Sequence, residues 1–145
     1  MNTTVAVMPS DIDDLLALAA EARARAYADY SGFAVGAALR TRSGKVYTGC
    51  NIENASYGLT VCAERVAIWK AVSEGETEFD VLVVVTSIGG SPCGACRQVM
   101  AEFALGMSVV IADLDHVLSV STVAELLPGA FLPGDLRSAP RASAG

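Results

Sequence analysis

The chain has 145 residues and a mass of 15.0 kDa, the size of one ordinary domain and large enough for a core that needs no metal to rescue it. Hydrophobic residues make up 52% and charged residues 18%, yet no apolar run approaches the roughly 18 residues of a membrane span. The formal net charge of -6 and a pI near 4.6 disfavour a polyanionic partner such as DNA or RNA and suit a small neutral ligand.

Met1 to Ser10 contain no Lys or Arg and no long apolar stretch, so they do not read as an export signal. The expected compartment is the cytosol. Four cysteines in a reducing compartment rarely form two disulfides. Cys93 and Cys96 lie three apart, which points to metal or redox chemistry.

In chain order, residues 11–29 read as an amphipathic helix capped by Ser10 or Asp11, with Ile12, Leu15, Leu16, Leu18 and Ala19 at helical spacing. Residues 33–40 form a nearly continuous apolar run, as in a strand covered on both faces. Ser43-Gly44 is a turn, and residues 45–52 return as a second strand. Residues 62–74 read as a helix stopped by Gly75. Residues 80–86 are a β-branched strand. Ser91-Pro92 reads as the N-cap and first turn of a helix over 93–104. Residues 107–113 and 117–122 are two further strands, and Thr122 caps a helical turn through Leu127. From about Leu136 the chain is rich in Ser, Ala, Pro and Arg, and the expectation is one domain over 1–136 with a disordered tail over 137–145. The order of elements predicts an α/β fold, one mixed sheet with helices on its faces.

Cys62 and Glu64 open one predicted helix, and Cys93 and Cys96 open the next. The first helix climbs about 20 Å, and strand 80–86 runs back about 23 Å. The two helix starts therefore come to lie side by side, and the three thiols converge. A helix N-terminus carries about half a positive charge, which favours the thiolates that zinc requires. Three protein ligands leave the fourth tetrahedral position for water, the pattern of a catalytic zinc site with one ion per chain. Glu64, two residues past a ligand, is placed to move the water's proton. Three thiolates and Zn²⁺ sum to -1, and Arg65 is placed to hydrogen-bond a thiolate and take charge off the metal.

Other readings compete. A thioredoxin-like redox pair would gain nothing from Cys62 and Glu64. A structural four-cysteine site would recruit Cys50, although a strand cysteine is more often a core residue. A non-enzymatic zinc-binding module would leave Glu53 and Glu64 unexplained. His116, the one histidine, reads as a surface residue in a turn.

Cys-x-Glu followed by Pro-Cys-x-x-Cys is the motif pair of the zinc nucleobase and nucleoside deaminases. Tyr30–Leu39, Gly49–Tyr57, Cys62–Arg65, Ser91–Val99 and Glu125–Phe131 together resemble the small, homotetrameric cytidine deaminases, over roughly residues 11–136. That resemblance implies a three-layer α/β/α fold around a five-stranded mixed sheet, and hydrolytic deamination of cytidine and 2'-deoxycytidine in pyrimidine salvage. It implies Asn51 and Glu53 as ligands of the ribose hydroxyls, Phe33 packed on the pyrimidine ring and the backbone of Ala63 beside the base. It also implies a homotetramer in which Phe131 and Tyr57 act across subunits. Within the class, a deaminase of a blasticidin-type antibiotic is the nearest rival, against which Asn51 and Glu53 argue. A nucleic-acid editing deaminase is disfavoured by the acidic charge.

Overall fold

The computed structural model describes residues 9–142. Residues 1–8 and 143–145, and with them most of the segment read as lacking an export signal and the end of the tail, lie outside the described residues.

A five-stranded sheet runs in the order β2-β1-β3-β4-β5, formed by β1 (Gly36–Thr41), β2 (Val46–Cys50), β3 (Phe79–Val85), β4 (Ser108–Ala112) and β5 (Val117–Thr122). Only β3 and β4 are parallel, joined by a crossover through a helix; the other pairs are antiparallel. Helix α1 (Ile12–Arg23) covers one face, with Leu15 and Ala19 against Ala38, Val81, Val83, Val85 and Val110. Helices α2 (Ala63–Ser73) and α3 (Gly94–Phe103) cover the other, with Ala67, Ile68 and Met100 against Ala37, Leu39, Leu82, Val84 and Val109. Alternate strand residues thus serve opposite helical layers, which is why the strands read as unbroken apolar runs. The α/β/α sandwich is the architecture expected from the sequence. Two short helices, α4 (Val123–Leu126) and α5 (Pro133–Ser138), close the chain. A capping box between Thr122 and Glu125 starts α4.

Several boundaries differ from the sequence reading. Helix α1 stops at Arg23 rather than 29, because Tyr27 leaves the helical path to bridge Ile52: its N–H donates to Asn51 O and its O accepts from Glu53 N. Asp11 holds the N-cap position, but neither it nor Ser10 caps by its side chain; Asp11 is left-handed at φ 58°. Strand β1 starts at Gly36 rather than 33, since residues 33–35 bond to the Asn51 side chain. Cys93, not Ser91, is the N-cap of α3. Helix α5 runs to Ser138 and so crosses the boundary expected at 136.

Helix α2 ends as predicted: Gly75 adopts φ 90°, and the N–H of Glu76 reaches back to Ala71 O. At its other end α2 lies directly on β2, where a Cβ on Gly49 would stand 2.3 Å from Ala63 O and 2.7 Å from Ala67 N. Both obstacles are backbone of the helix that carries Cys62 and Glu64. Gly49→Ala is therefore expected to cost about 3 kcal/mol and to lower the Tm by about 6–12 °C. Gly106→Ala, whose methyl meets nothing within 4 Å, should leave thermal unfolding unchanged.

Candidate active site

Cys62 is the N-cap of α2 and Cys93 the N-cap of α3, and Cys96 lies buried in the first turn of α3. The up-and-back path through α2 and β3 brings Cys62 Sγ to 3.8 Å from Cys93 Sγ, which is 3.5 Å from Cys96 Sγ. All three sulfurs lie within 4.8 Å of one another. Sulfurs at about 2.3 Å around a tetrahedral zinc stand about 3.8 Å apart, so this donor set fits that ion. Cys50 lies outside the cluster, its Sγ against Arg25 O at 3.5 Å. His116 is exposed in a turn where Asp113 accepts its N–H and that of Asp115.

The thiols are not equivalent. The Cys62 thiol is brought down to about 5 by the neighbouring Cys96 thiol, with help from Arg65 and Cys93 and against the upward push of burial. The Cys62 thiol, and then burial, drive Cys96 far upward. Cys62 faces the Arg65 guanidinium, whose Nη2 lies 3.5 Å from its sulfur. Arg65 Nε is buried and has no acceptor among the described residues.

Glu64 is 4% exposed, and that burial pushes its carboxyl above the ordinary range. It forms one end of a cavity of about 280 Å³, beside Cys62 and Cys93. Phe33, Asn51 and Glu53 line the same cavity. Both ends of the Asn51 side chain hold backbone, its Oδ1 accepting from Val35 N at 2.9 Å and its Nδ2 donating to Phe33 O at 2.8 Å, which leaves one N–H and one lone pair free. Glu53 accepts from the amides of Tyr30 and Ser31 at 2.9 and 3.0 Å, and from the Ser31 hydroxyl. The Ser31 hydroxyl first, then these amides, hold its carboxyl below the usual range.

Ala63, fully buried, does not line the cavity, and its carbonyl faces Gly49. Tyr57 lies in a neighbouring hollow that shares Ser31, Glu53 and Thr60 with the cavity. Phe131 is 61% exposed beside α5, with only its backbone O bonded, to Gln98 Nε2. Within this one chain, neither aromatic reaches the cavity.

The sequence reading missed Ser31, Thr60, Val61 and Thr86, all on the cavity wall. Thr86 had a legible signal: it is the polar residue just past the carboxyl end of a strand, where open α/β sheets bind ligands. Its hydroxyl accepts from Gly90 N at 2.7 Å and fixes the loop that leads to Cys93. Arg97 was missed too; it ties that loop down through Pro92 O, Ser91 Oγ and Leu126 O.

The model of the cytidine and deoxycytidylate deaminase zinc-binding region matches residues 9–112. The chain belongs to that family. A cytidine deaminase of Sporosarcina psychrophila is 52% identical over 129 residues, spanning 87% of this chain and 95% of that protein. The crystal structure of a cytidine deaminase from Burkholderia pseudomallei superposes with a TM-score of 0.80 at 46% identity, covering 86% of this chain and all of that one. A blasticidin-S deaminase of Bacillus cereus is more distant, 36% identical over 65% of this chain and 74% of its own length. The metal of the family is zinc, and the Cys62, Cys93 and Cys96 cluster fits it.

The separation of Cys50 from the other thiols sets a test. Cys50→Ala should retain one zinc per chain by elemental analysis, and X-ray absorption should show three sulfurs and one lighter atom around it. A fourth sulfur would bring Cys50 into the shell.

Proposed function

We propose that the chain is a zinc-dependent hydrolase that deaminates cytidine and 2'-deoxycytidine to the uridines. The observation that carries this reading is the buried Glu64 between two cysteine-bearing helix starts, at one end of a nucleoside-sized cavity. Bound at Cys62, Cys93 and Cys96, zinc supplies Lewis acidity that lowers the pKa of the attacking water. Glu64, with its carboxyl raised by burial, takes a proton from that water and delivers it to N3 of the ring. Once the water oxygen has bonded to C4, Glu64 takes the second proton from that hydroxyl and gives it to the N4 amine as the C4–N4 bond breaks, so that cytidine and water become uridine and ammonia. Phe33 offers its face to the ring, and Ala63, whose carbonyl is turned to Gly49, has only its N–H left to meet the base. Asn51 and Glu53 meet the ribose hydroxyls. Their bonds to residues 30–35 hold both groups in place before substrate arrives, which lowers the ordering cost of binding.

A nucleoside suits the site better than a nucleotide. The cavity and the adjoining hollow are lined by Glu53 and Glu64 and by no Lys, Arg or His. A phosphate of about -2 charge would find no cation there. No described helix is long and apolar enough to cross a membrane. With the acidic charge, this supports a cytoplasmic enzyme of pyrimidine salvage that binds neither nucleic acid nor membrane.

The active form is a homotetramer. Tyr27, Tyr30, Phe33, Ile52, Tyr57 and Leu59 are all exposed and cluster in sequence around the cavity segments, and an apolar surface of this kind marks an interface. Phe131 and Tyr57, which do not line the Glu64 cavity of their own chain, are free to complete a neighbour's. Sedimentation at micromolar concentration should show four chains, and Phe131→Ala should raise the KM for cytidine.

Incubation of the purified protein with cytidine tests the reaction directly. Uridine should form, while blasticidin S should be left unchanged. Glu64→Gln should lower kcat by about 10⁴-fold or more with zinc content unchanged, and near-native turnover by that variant would refute the proton-transfer role.

A further inference from the structure

The guanidinium of Arg65 stands beside the Cys62 sulfur, but little polar structure holds it there. Among the described residues its one hydrogen bond is the 3.5 Å contact from Nη2 to Cys62 Sγ, its buried Nε has no acceptor, and no carboxylate pairs with it. A long side chain anchored by one weak contact to sulfur would sample many rotamers. What covers it is Trp69, one helical turn later on α2: the ring centroid lies 5.8 Å from Arg65 Cζ. Residues four apart on a helix are face neighbours. Trp69 is still 49% exposed, so half of the largest side chain in the protein is left in water while it covers the cation. Side chains on a helix lean toward its N-terminus, so the ring lies over the first turn of α2, where Arg65 stands.

We propose that Trp69 is a positioning residue that clamps Arg65 against Cys62 through the face of its indole, and so steadies the charge on a metal-binding thiolate. The inference rests on the reading of this site as a zinc site. Losing the ring frees the guanidinium to turn toward water. The Cys62 sulfur then loses the positive charge and the N–H that share its negative charge, and the grip of the three sulfurs on zinc changes with it. The pocket walls that bind the nucleoside do not include Trp69, so the defect falls on turnover and metal retention rather than on substrate binding.

Three variants of the zinc-loaded enzyme separate the ring face from simple bulk: Trp69→Phe, Trp69→Leu and Trp69→Ala. Two readouts are taken: zinc release to a chromophoric chelator, and kcat and KM with cytidine. Trp69→Leu should change the zinc-release rate and lower kcat by about twofold to thirtyfold, the range a ring–cation contact can carry, with KM nearly unmoved. Trp69→Phe, with a weaker ring, should fall between Leu and the wild type. In an Arg65→Ala background, Trp69→Leu should produce no further change in zinc release, because no cation remains to clamp. Trp69 is the only tryptophan, so Arg65→Ala should also shift or brighten the emission of the folded protein.

If Trp69→Leu matches Trp69→Phe in zinc release, or has the same effect with and without Arg65, the clamp is refuted and Trp69 is only packing. If Trp69→Ala fails to fold, the Phe and Leu pair decides the matter. A wild-type protein that holds zinc but leaves cytidine intact would sink the reading of the reaction, while the zinc-release and emission comparisons would still judge the clamp.

Discussion

Three sulfurs and a carboxylate have to meet in one small volume, and the constraint that makes this possible is a match of lengths. Helix α2 leads away from Cys62 and β3 leads back, so the Cys93 sulfur arrives 3.8 Å from that of Cys62, the cap where the helix began. Both helices point their N-termini at the same spot, and two half-charges of like sign face each other there. That repulsion is relieved by negative charge, which is what thiolates supply. The small residues at the seams serve the same end. Gly49 lets α2 lie directly on β2, and Ala67 and Ala71 keep that layer close to the sheet. A larger residue at Gly49 would push the helix outward and carry Cys62 and Glu64 with it.

Burial does opposite things to neighbouring groups in this site. It raises the Glu64 carboxyl, which readies that group to hold and pass a proton. At Cys62 the upward push of burial is outweighed by the thiols and the guanidinium around it. Two residues apart in sequence, one group is set up to carry a proton and the other to lose one. Cys62 is a helix cap with sulfurs on one side and Arg65 on the other, while Glu64 is buried, its acidity lowered by that burial and then by the Cys62 charge nearby. The division of labour between metal ligand and proton carrier follows from that difference in surroundings.

The far end of the cavity is organised by side chains that act as backbone. Asn51 gives residues 33–35 the partners a neighbouring strand would have given, and Glu53 does the same for residues 30 and 31. These bonds end β1 at Gly36 and cradle Phe33 at the cavity wall. An amide and a carboxylate that look like free ligands in the sequence are also the struts of the loop that shapes the pocket.

Much of the chemistry was legible in the sequence because it is local. Cys93 and Cys96 share a face by their spacing of three, Glu64 follows Cys62 by two, and apolar runs announce strands covered on both sides. The convergence of the two helix starts was also within reach, since the rises of helix and strand are fixed numbers. What the sequence could not announce depends on partners distant along the chain. The run through residues 24–29 favours a helix, but Tyr27 bonds instead to Asn51 and Glu53, 24 and 26 positions away. Ser91 has the chemistry of a helix cap, but Arg97 takes its hydroxyl and leaves the cap to Cys93. The sequence offers Arg65 to a thiolate, but the ring of Trp69 over its guanidinium is seen only in the fold. Residue type and short spacing determine which groups are able to do the chemistry; which of them are left free for it is decided by hydrogen bonds and burial that exist only once distant segments have packed.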